Sequence, residues 1–217
     1  MIVSEKKTIE EIISFCGNHD KIFIIGCAQC ATSCSAGGEK EVNALAEELK
    51  KRGFEITGTI ILDPPCDERI SRVELKKKAD ELNKSTALIV MACGAGITVI
   101  SEMTEGKNII AGISGVFLGS QKRLGIYNEF CSLCGECVLS VTNGVCPVTR
   151  CPKSLLNGPC GGVVNGKYCE VNPENRCAWS LIIEKSAGSE VKKKRIEQYR
   201  NPKDNSKHGK PNSFNKR

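Results

Sequence analysis

Apolar and polar positions follow two rhythms along the first half of the chain. Within Glu39–Arg52, Val42, Leu45, Ala46 and Leu49 recur at i, i+3, i+4 and i+7, the spacing of one helix face. Gly53 follows where a helix stop belongs. Thr8–Cys16 reads as a shorter amphipathic helix, Glu68–Leu82 as a charged one and Ile97–Met103 as another. Between them lie short apolar runs, Lys21–Gly26, Phe54–Leu62, Thr86–Ala92 and Asn108–Ile110, each of strand length. Strands alternating with helices predict an α/β domain over residues 1–114, a small parallel sheet with helices on its faces. From about Gly115 the rhythm dissolves. Residues 115–184 predict an irregular, cysteine-rich, metal-binding C-terminal module, and 185–217 a polar tail.

Cysteine usage changes this picture most. The chain of 217 residues carries 14 cysteines, far above ordinary usage. Met1–Lys7 has no apolar run behind its charges, which gives the expectation of no secretory leader. Nothing approaches the roughly 20 apolar residues of a membrane span, so membrane insertion is not expected. A cytoplasmic location follows as an expectation, and thiols in a reducing compartment argue for metal over disulfides. The net charge of +6 is unevenly spread. Residues 185–217 hold eleven Lys/Arg against three Asp/Glu, a net of +8, and leave the rest at −2. The tail therefore reads as mostly disordered, with a helix near Lys192–Tyr199, and as a solubilising or partner-touching segment. No nucleic-acid partner is expected from so localised a charge.

The thiols of the first domain fall where an open parallel sheet binds ligands, beyond the carboxyl ends of its strands. Cys27, Cys30 and Cys34 follow the first predicted strand, Cys66 follows the second, and Cys93 follows the third. Cys27-x-x-Cys30 alone would also suit a thioredoxin-like dithiol, but that chemistry expects two thiols, and here there are five. A [4Fe–4S] cluster takes four thiolates, which would leave one in reserve. Zinc and separate buried thiols are the alternatives. Cys16, on the helix before the sheet, reads as a core residue. Cys93-Gly94-Ala95-Gly96 lacks the third glycine of a dinucleotide fingerprint, so its glycines read as points of close backbone approach.

Cys131-x-x-Cys134-x-x-Cys137 is the sharpest motif, since three thiols within seven residues can take three corners of a cubane. The next cysteine is Cys146, followed by Pro147 after a longer gap than in ferredoxin segments. Cys151, Cys160, Cys169 and Cys177 complete a set of eight. Eight thiols divide into two groups of four, and spacing does not say which. The expected cofactors over the chain are two or three [4Fe–4S] clusters, with zinc as the alternative at one C-terminal site. Bound metal would supply the folding free energy that a module poor in large apolar residues lacks. Asn157–Gly162 reads as a loop whose N–H groups face a metal site, and Trp179 as a packing residue.

Catalytic equipment is scarce. His19 and His208 are the only histidines, and neither has a visible nucleophile or carboxylate partner. The stretch Cys131-Ser132-Leu133-Cys134-Gly135-Glu136-Cys137, with Cys146-Pro147-Val148-Thr149-Arg150-Cys151-Pro152-Lys153-Ser154-Leu155-Leu156-Asn157-Gly158-Pro159-Cys160-Gly161-Gly162 and Cys177-Ala178-Trp179, resembles the C-terminal domain associated with methylenetetrahydrofolate reductase. With Gly26–Thr32 and Ala92–Gly96, residues 20–183 look like the small iron–sulfur subunit of acetogen-type methylenetetrahydrofolate reductases. The resemblance implies a non-catalytic electron-transfer subunit. Its implied partner is a flavin-binding barrel subunit that reduces methylene- to methyl-tetrahydrofolate in one-carbon metabolism, with a further redox donor subunit as a second partner. A zinc-stabilised protein- or nucleic-acid-interaction module is the alternative reading.

Overall fold

The structure is a computed structural model and describes residues 1–17, 20–197 and 200–201. His19, His208 and the tail beyond Asn201 lie outside the described residues, as does the end of the helix expected near Lys192–Tyr199. The chain divides into two compact units, Met1–Tyr127 and Asn128–Arg217.

The first unit is built on a four-stranded parallel sheet of β2 (Lys21–Cys27), β3 (Glu55–Leu62), β4 (Ala87–Met91) and β5 (Asn108–Ala111), in the order β3-β2-β4-β5. β2 and β4 occupy the centre, and Ile22–Ile25 and Ala87–Val90 are fully buried. Removing an aliphatic side chain of this size from water contributes about 1.5–3 kcal/mol, so these two runs dominate the core. Chain order and spatial order part company at the β2/β4 pair. The chain leaves β2 towards β3 and returns to the other side as β4, which opens a crevice between the carboxyl ends of the two strands.

Helices α1 (Ile9–Ser14), α2 (Cys30–Ser33), α3 (Glu39–Lys51), α4 (Glu68–Lys76), α5 (Ala79–Lys84) and α6 (Gly94–Met103) connect the strands. Thr8 caps α1 by accepting from the Glu11 N–H at 3.1 Å. In α3 the predicted stripe is the buried one: Val42, Ala46 and Leu49 face the sheet. Gly53 ends that helix at φ +89°, with the Gly53 and Phe54 N–H groups returning to the Lys50 and Leu49 carbonyls. The expected single helix over Glu68–Leu82 is two helices. The chain bends at Lys77-Lys78, and α5 then lies against β3 where Gly58 leaves room: a Cβ there would stand 3.1 Å from that of Glu81.

A second sheet joins the first. β1 (Ile2–Lys6) pairs antiparallel with β6 (Ile113–Arg123), and β7 (Ile126–Cys131) flanks β6 in the order β1-β6-β7. Neither the N-terminal segment nor the stretch after Gly115 shows this in its apolar pattern. Their pairing joins residues over a hundred positions apart, and much of β6 is exposed or half-buried.

The unit Asn128–Arg217 contains α7 (Pro147–Arg150), α8 (Ala178–Ser186) and α9 (Glu190–Glu197) among irregular loops. Its buried apolar cluster among the described residues is Val145, Ala178, Trp179 and Ile182, with Cys151, Cys177, Leu181 and Ile196 against it. Trp179 is 2% exposed, and its indole N–H donates to the Leu155 carbonyl at 2.8 Å. So small a core is marginal for independent stability. No described helix is long and apolar enough to cross a membrane.

Candidate functional site

In the first unit, Cys27 ends β2, Cys30 opens α2, Cys66 lies in the loop after β3, and Cys93 is the N-cap of α6 directly after β4. All stand at the carboxyl edge of the sheet. The loops there are tied to one another. Ala28 N–H donates to the Leu62 carbonyl at 2.9 Å, Gln29 bonds Asp63 through its side chain, and Thr32 Oγ1 donates to the Cys27 carbonyl at 2.7 Å. Gly96 lets the first turn of α6 close on the loop that carries Cys66, since a Cβ there would lie 3.1 Å from Pro65. The close approaches at this glycine are thus to Ala92, at 2.9 Å, and to Pro65; Gly94 has open space around it.

Gly37 fills the crevice between β2 and β4. Its carbonyl accepts from the Cys27 N–H at 2.8 Å, and a Cβ on it would stand 2.1 Å from the Met91 carbonyl oxygen. Only a residue without a side chain can bridge the ends of these two strands, which carry Cys27 and lead into Cys93.

Four of the five thiols influence one another electrostatically. Burial pushes the Cys27 thiol up, and the charges of Cys30 and Cys93 add to the rise against N–H donation from Ala31 and Gln29. Desolvation raises Cys66 as well, reinforced by Cys93, Cys27 and Cys30. These mutual influences place Cys27, Cys30, Cys66 and Cys93 near one another at the sheet edge. Cys34 stands apart. Its Sγ approaches the Ile2 carbonyl at 3.8 Å, and it faces Tyr127, whose hydroxyl donates to the Ser33 carbonyl at 3.0 Å. Desolvation and the neighbouring Cys34 raise the Tyr127 phenol. Cys16 packs against the core, its Sγ donating to the Ile12 carbonyl at 3.5 Å.

In the second unit, a narrow cavity of about 20 Å³ is lined by Cys151, Cys160, Cys169 and Cys177, together with Lys153 and Glu170. Local hydrogen bonds place these cysteines. Cys151 closes α7 and Cys177 caps α8. The Cys169 N–H donates to Asn175 at 3.0 Å, and the Cys177 N–H to Lys167 at 2.8 Å, across the small ladder Val164–Tyr168–Arg176. The remaining four are Cys131, Cys134 and Cys137 in the loop after β7, and Cys146 at the N-cap of α7. Thr149 ties α7 to the residue before Cys131 by donating to the Phe130 carbonyl at 3.1 Å. Leu133, at φ +55°, turns its N–H onto the Cys131 sulfur at 3.3 Å, the kind of N–H···S contact that stabilises a metal-bound thiolate.

Among the described residues, no three or more His, Cys, Asp or Glu side chains converge closely enough to hold a metal ion as they stand. The donors are gathered but not closed. The donor chemistry, four thiols in each group, fits a thiolate-bound metal or cluster. Residues at these sites with no signal in the cysteine spacing are Gly37, Tyr127, Lys153 and Glu170: Tyr127 arrives from a distant strand, while Lys153 and Glu170 stand beside Cys151 and Cys169 in the chain and are marked only by the ion pair they form.

No curated protein and no solved structure matches the chain. Residues 110–206, just under half of it, match the family model described as methylene-tetrahydrofolate reductase C terminal, and through this region the chain is similar to methylenetetrahydrofolate reductases.

Proposed function

We propose that the protein is an iron–sulfur electron-transfer subunit of a heteromeric methylenetetrahydrofolate reductase, relaying electrons to or from a flavin on a partner barrel subunit. The observation that carries this reading is the gathering of Cys27, Cys30, Cys66 and Cys93, from three separate loops, at the crevice of an open parallel sheet. Four thiolates at one edge match the ligand demand of a [4Fe–4S] cluster. The similarity of residues 110–206 to the reductase C-terminal region supplies the reaction. Cys131, Cys134, Cys137 and Cys146 would hold a second cluster. When bound, the clusters supply one-electron storage; the chain's own residues fix their position and exclude water from the buried side of Cys27.

A specific observation favours zinc at the third group. The cavity between Cys151, Cys160, Cys169 and Cys177 measures about 20 Å³, room for roughly one water-sized particle. A single tetrahedral ion needs less space than a cubane, and four thiolates form an ordinary structural zinc site. Zinc there would brace the small core around Trp179 while the other groups carry electrons.

Anaerobic purification of the full chain, with iron, acid-labile sulfide and zinc analysis and low-temperature electron paramagnetic resonance, tests the assignment. A brown protein with about eight irons, eight sulfides and one zinc per chain is expected from three four-thiolate sites. A colourless protein holding only zinc after cluster reconstitution overturns it and leaves the zinc-stabilised interaction module. Co-expression with a flavin-binding reductase subunit and recovery of both in one complex tests the partner.

A further inference from the structure

Two charged side chains, Lys153 and Glu170, stand at the cavity of Cys151, Cys160, Cys169 and Cys177. Glu170 accepts from the Cys160 Sγ at 3.3 Å and is ion-paired with Lys153. Lys153 in turn feels the charges of Cys160 and Cys151. The carboxylate reaches this position across Gly162, whose Cα lies so near that an added Cβ would stand 1.5 Å from Glu170 Oε2. Gly162 is not in a left-handed conformation, so conformational need does not account for the glycine. The Glu170 carboxylate is the close neighbour recorded at this position.

We propose that Lys153 and Glu170 are a charge-setting pair for the metal held by Cys151, Cys160, Cys169 and Cys177, with Gly162 bare to admit the carboxylate. Four thiolates around a divalent ion carry a net charge of −2. An ammonium beside two of them stabilises the loaded state. A carboxylate against Cys160 opposes it by like charge. Pairing the two side chains keeps both effects in check, so the cavity holds its metal without holding it at maximum strength. The inference rests on reading these four cysteines as metal ligands and deepens that reading.

The opposite signs of the two charges make the idea testable in the full chain. Metal is withdrawn with an excess of chelator, EDTA for zinc or a ferrous chelator for iron. Timed pulses of iodoacetamide then report the opening of Cys177 and of Cys169 by peptide mass spectrometry, with Cys177 as the readout for the variants because Cys169 is bonded to Glu170 in the chain. Lys153→Met should speed metal loss and Glu170→Gln should slow it, each by about three- to fivefold for so exposed a pair. Gly162→Ala, which evicts the carboxylate but leaves it in the chain, should match Glu170→Gln. The double variant should return close to wild type, and high salt should compress all the differences.

Single variants that shift in the same direction, or a double variant worse than either, would mark the pair as structural and overturn the proposal. Wild-type protein whose Cys169 and Cys177 are alkylated at the same rate with and without chelator has no metal at this cavity. That result overturns the ligand reading itself and is distinguished by the wild-type arm alone.

Discussion

Replacing Gly37 with alanine tests whether the β2/β4 crevice is as tight as the packing requires. The new methyl would stand 2.1 Å from the Met91 carbonyl oxygen and 3.0 Å from the Met91 Cβ, where ordinary contact begins near 3.4 Å. The nearest atom is backbone, so no side chain can swing aside. The chain at Gly37 and the end of β4 must part by more than an ångström. Forced overpacking of this kind costs about 1–3 kcal/mol. The Gly37 carbonyl also accepts the Cys27 N–H at 2.8 Å, and displacing it adds about 1 kcal/mol. A total loss of about 2–4 kcal/mol follows for the first unit. The only tryptophan, Trp179, lies in the other unit, so urea unfolding should be followed by far-ultraviolet circular dichroism. Gly94→Ala is the control, because nothing lies within 4 Å of its Cβ position and it opens α6; it should be neutral or gain up to about 1 kcal/mol. A Gly37→Ala protein within about 0.5 kcal/mol of wild type, the usual range for a surface change, would refute the tight crevice.

Other outcomes follow from particular contacts. Cys34→Ser should keep the iron content of the anaerobically purified protein, while Cys93→Ser should lose about one cluster's worth; equal loss from both would undo the grouping of Cys27, Cys30, Cys66 and Cys93. Thr8→Ala removes the acceptor for the Glu11 N–H and should cost about 1 kcal/mol in the same urea assay. Asp20 is partly desolvated, which raises its pKa, but the Gly17 N–H and the Thr86 and Asn108 side chains outweigh this and hold it below the usual carboxylate value. A depressed carboxylate contributes stability above its unfolded pKa, and that contribution is lost as pH falls through the folded value. Thermal melting between pH 7 and pH 3 should therefore show a shallower acid decline for Asp20→Asn than for wild type, and parallel curves would exclude the contribution.

Much of the first unit was legible in sequence because its signals are local. The stripe of Val42, Ala46 and Leu49 and the stop at Gly53 sit within single helical turns, and the runs of β2 and β4 are apolar whatever lies beside them. β1 and β6 were not legible. Much of β6 is exposed or half-buried, so it lacks the continuous apolar run that marks a central strand, and neither strand records which partner it meets. The break between α4 and α5 was hidden for a related reason: residues 68–82 read as one charged helix, and α5 packs near Gly58 of β3, a neighbour from another part of the chain.

The sequence by itself determined that this is an α/β chain with an excess of thiols, and that five of them follow strands and so share one edge of a sheet. That much follows from residue period and from the rule that loops after parallel strands lie together. Only the tertiary structure decided which thiols are neighbours. The order β3-β2-β4-β5 sets Cys27 beside Cys93, α2 turns Cys34 towards Tyr127, and the ladder at Tyr168 delivers Cys169 and Cys177 to the cavity with Cys151 and Cys160. Spacing cannot carry this information. A residue's local conformation depends on its near neighbours in the chain, whereas the company its side chain keeps depends on which distant faces must be buried together.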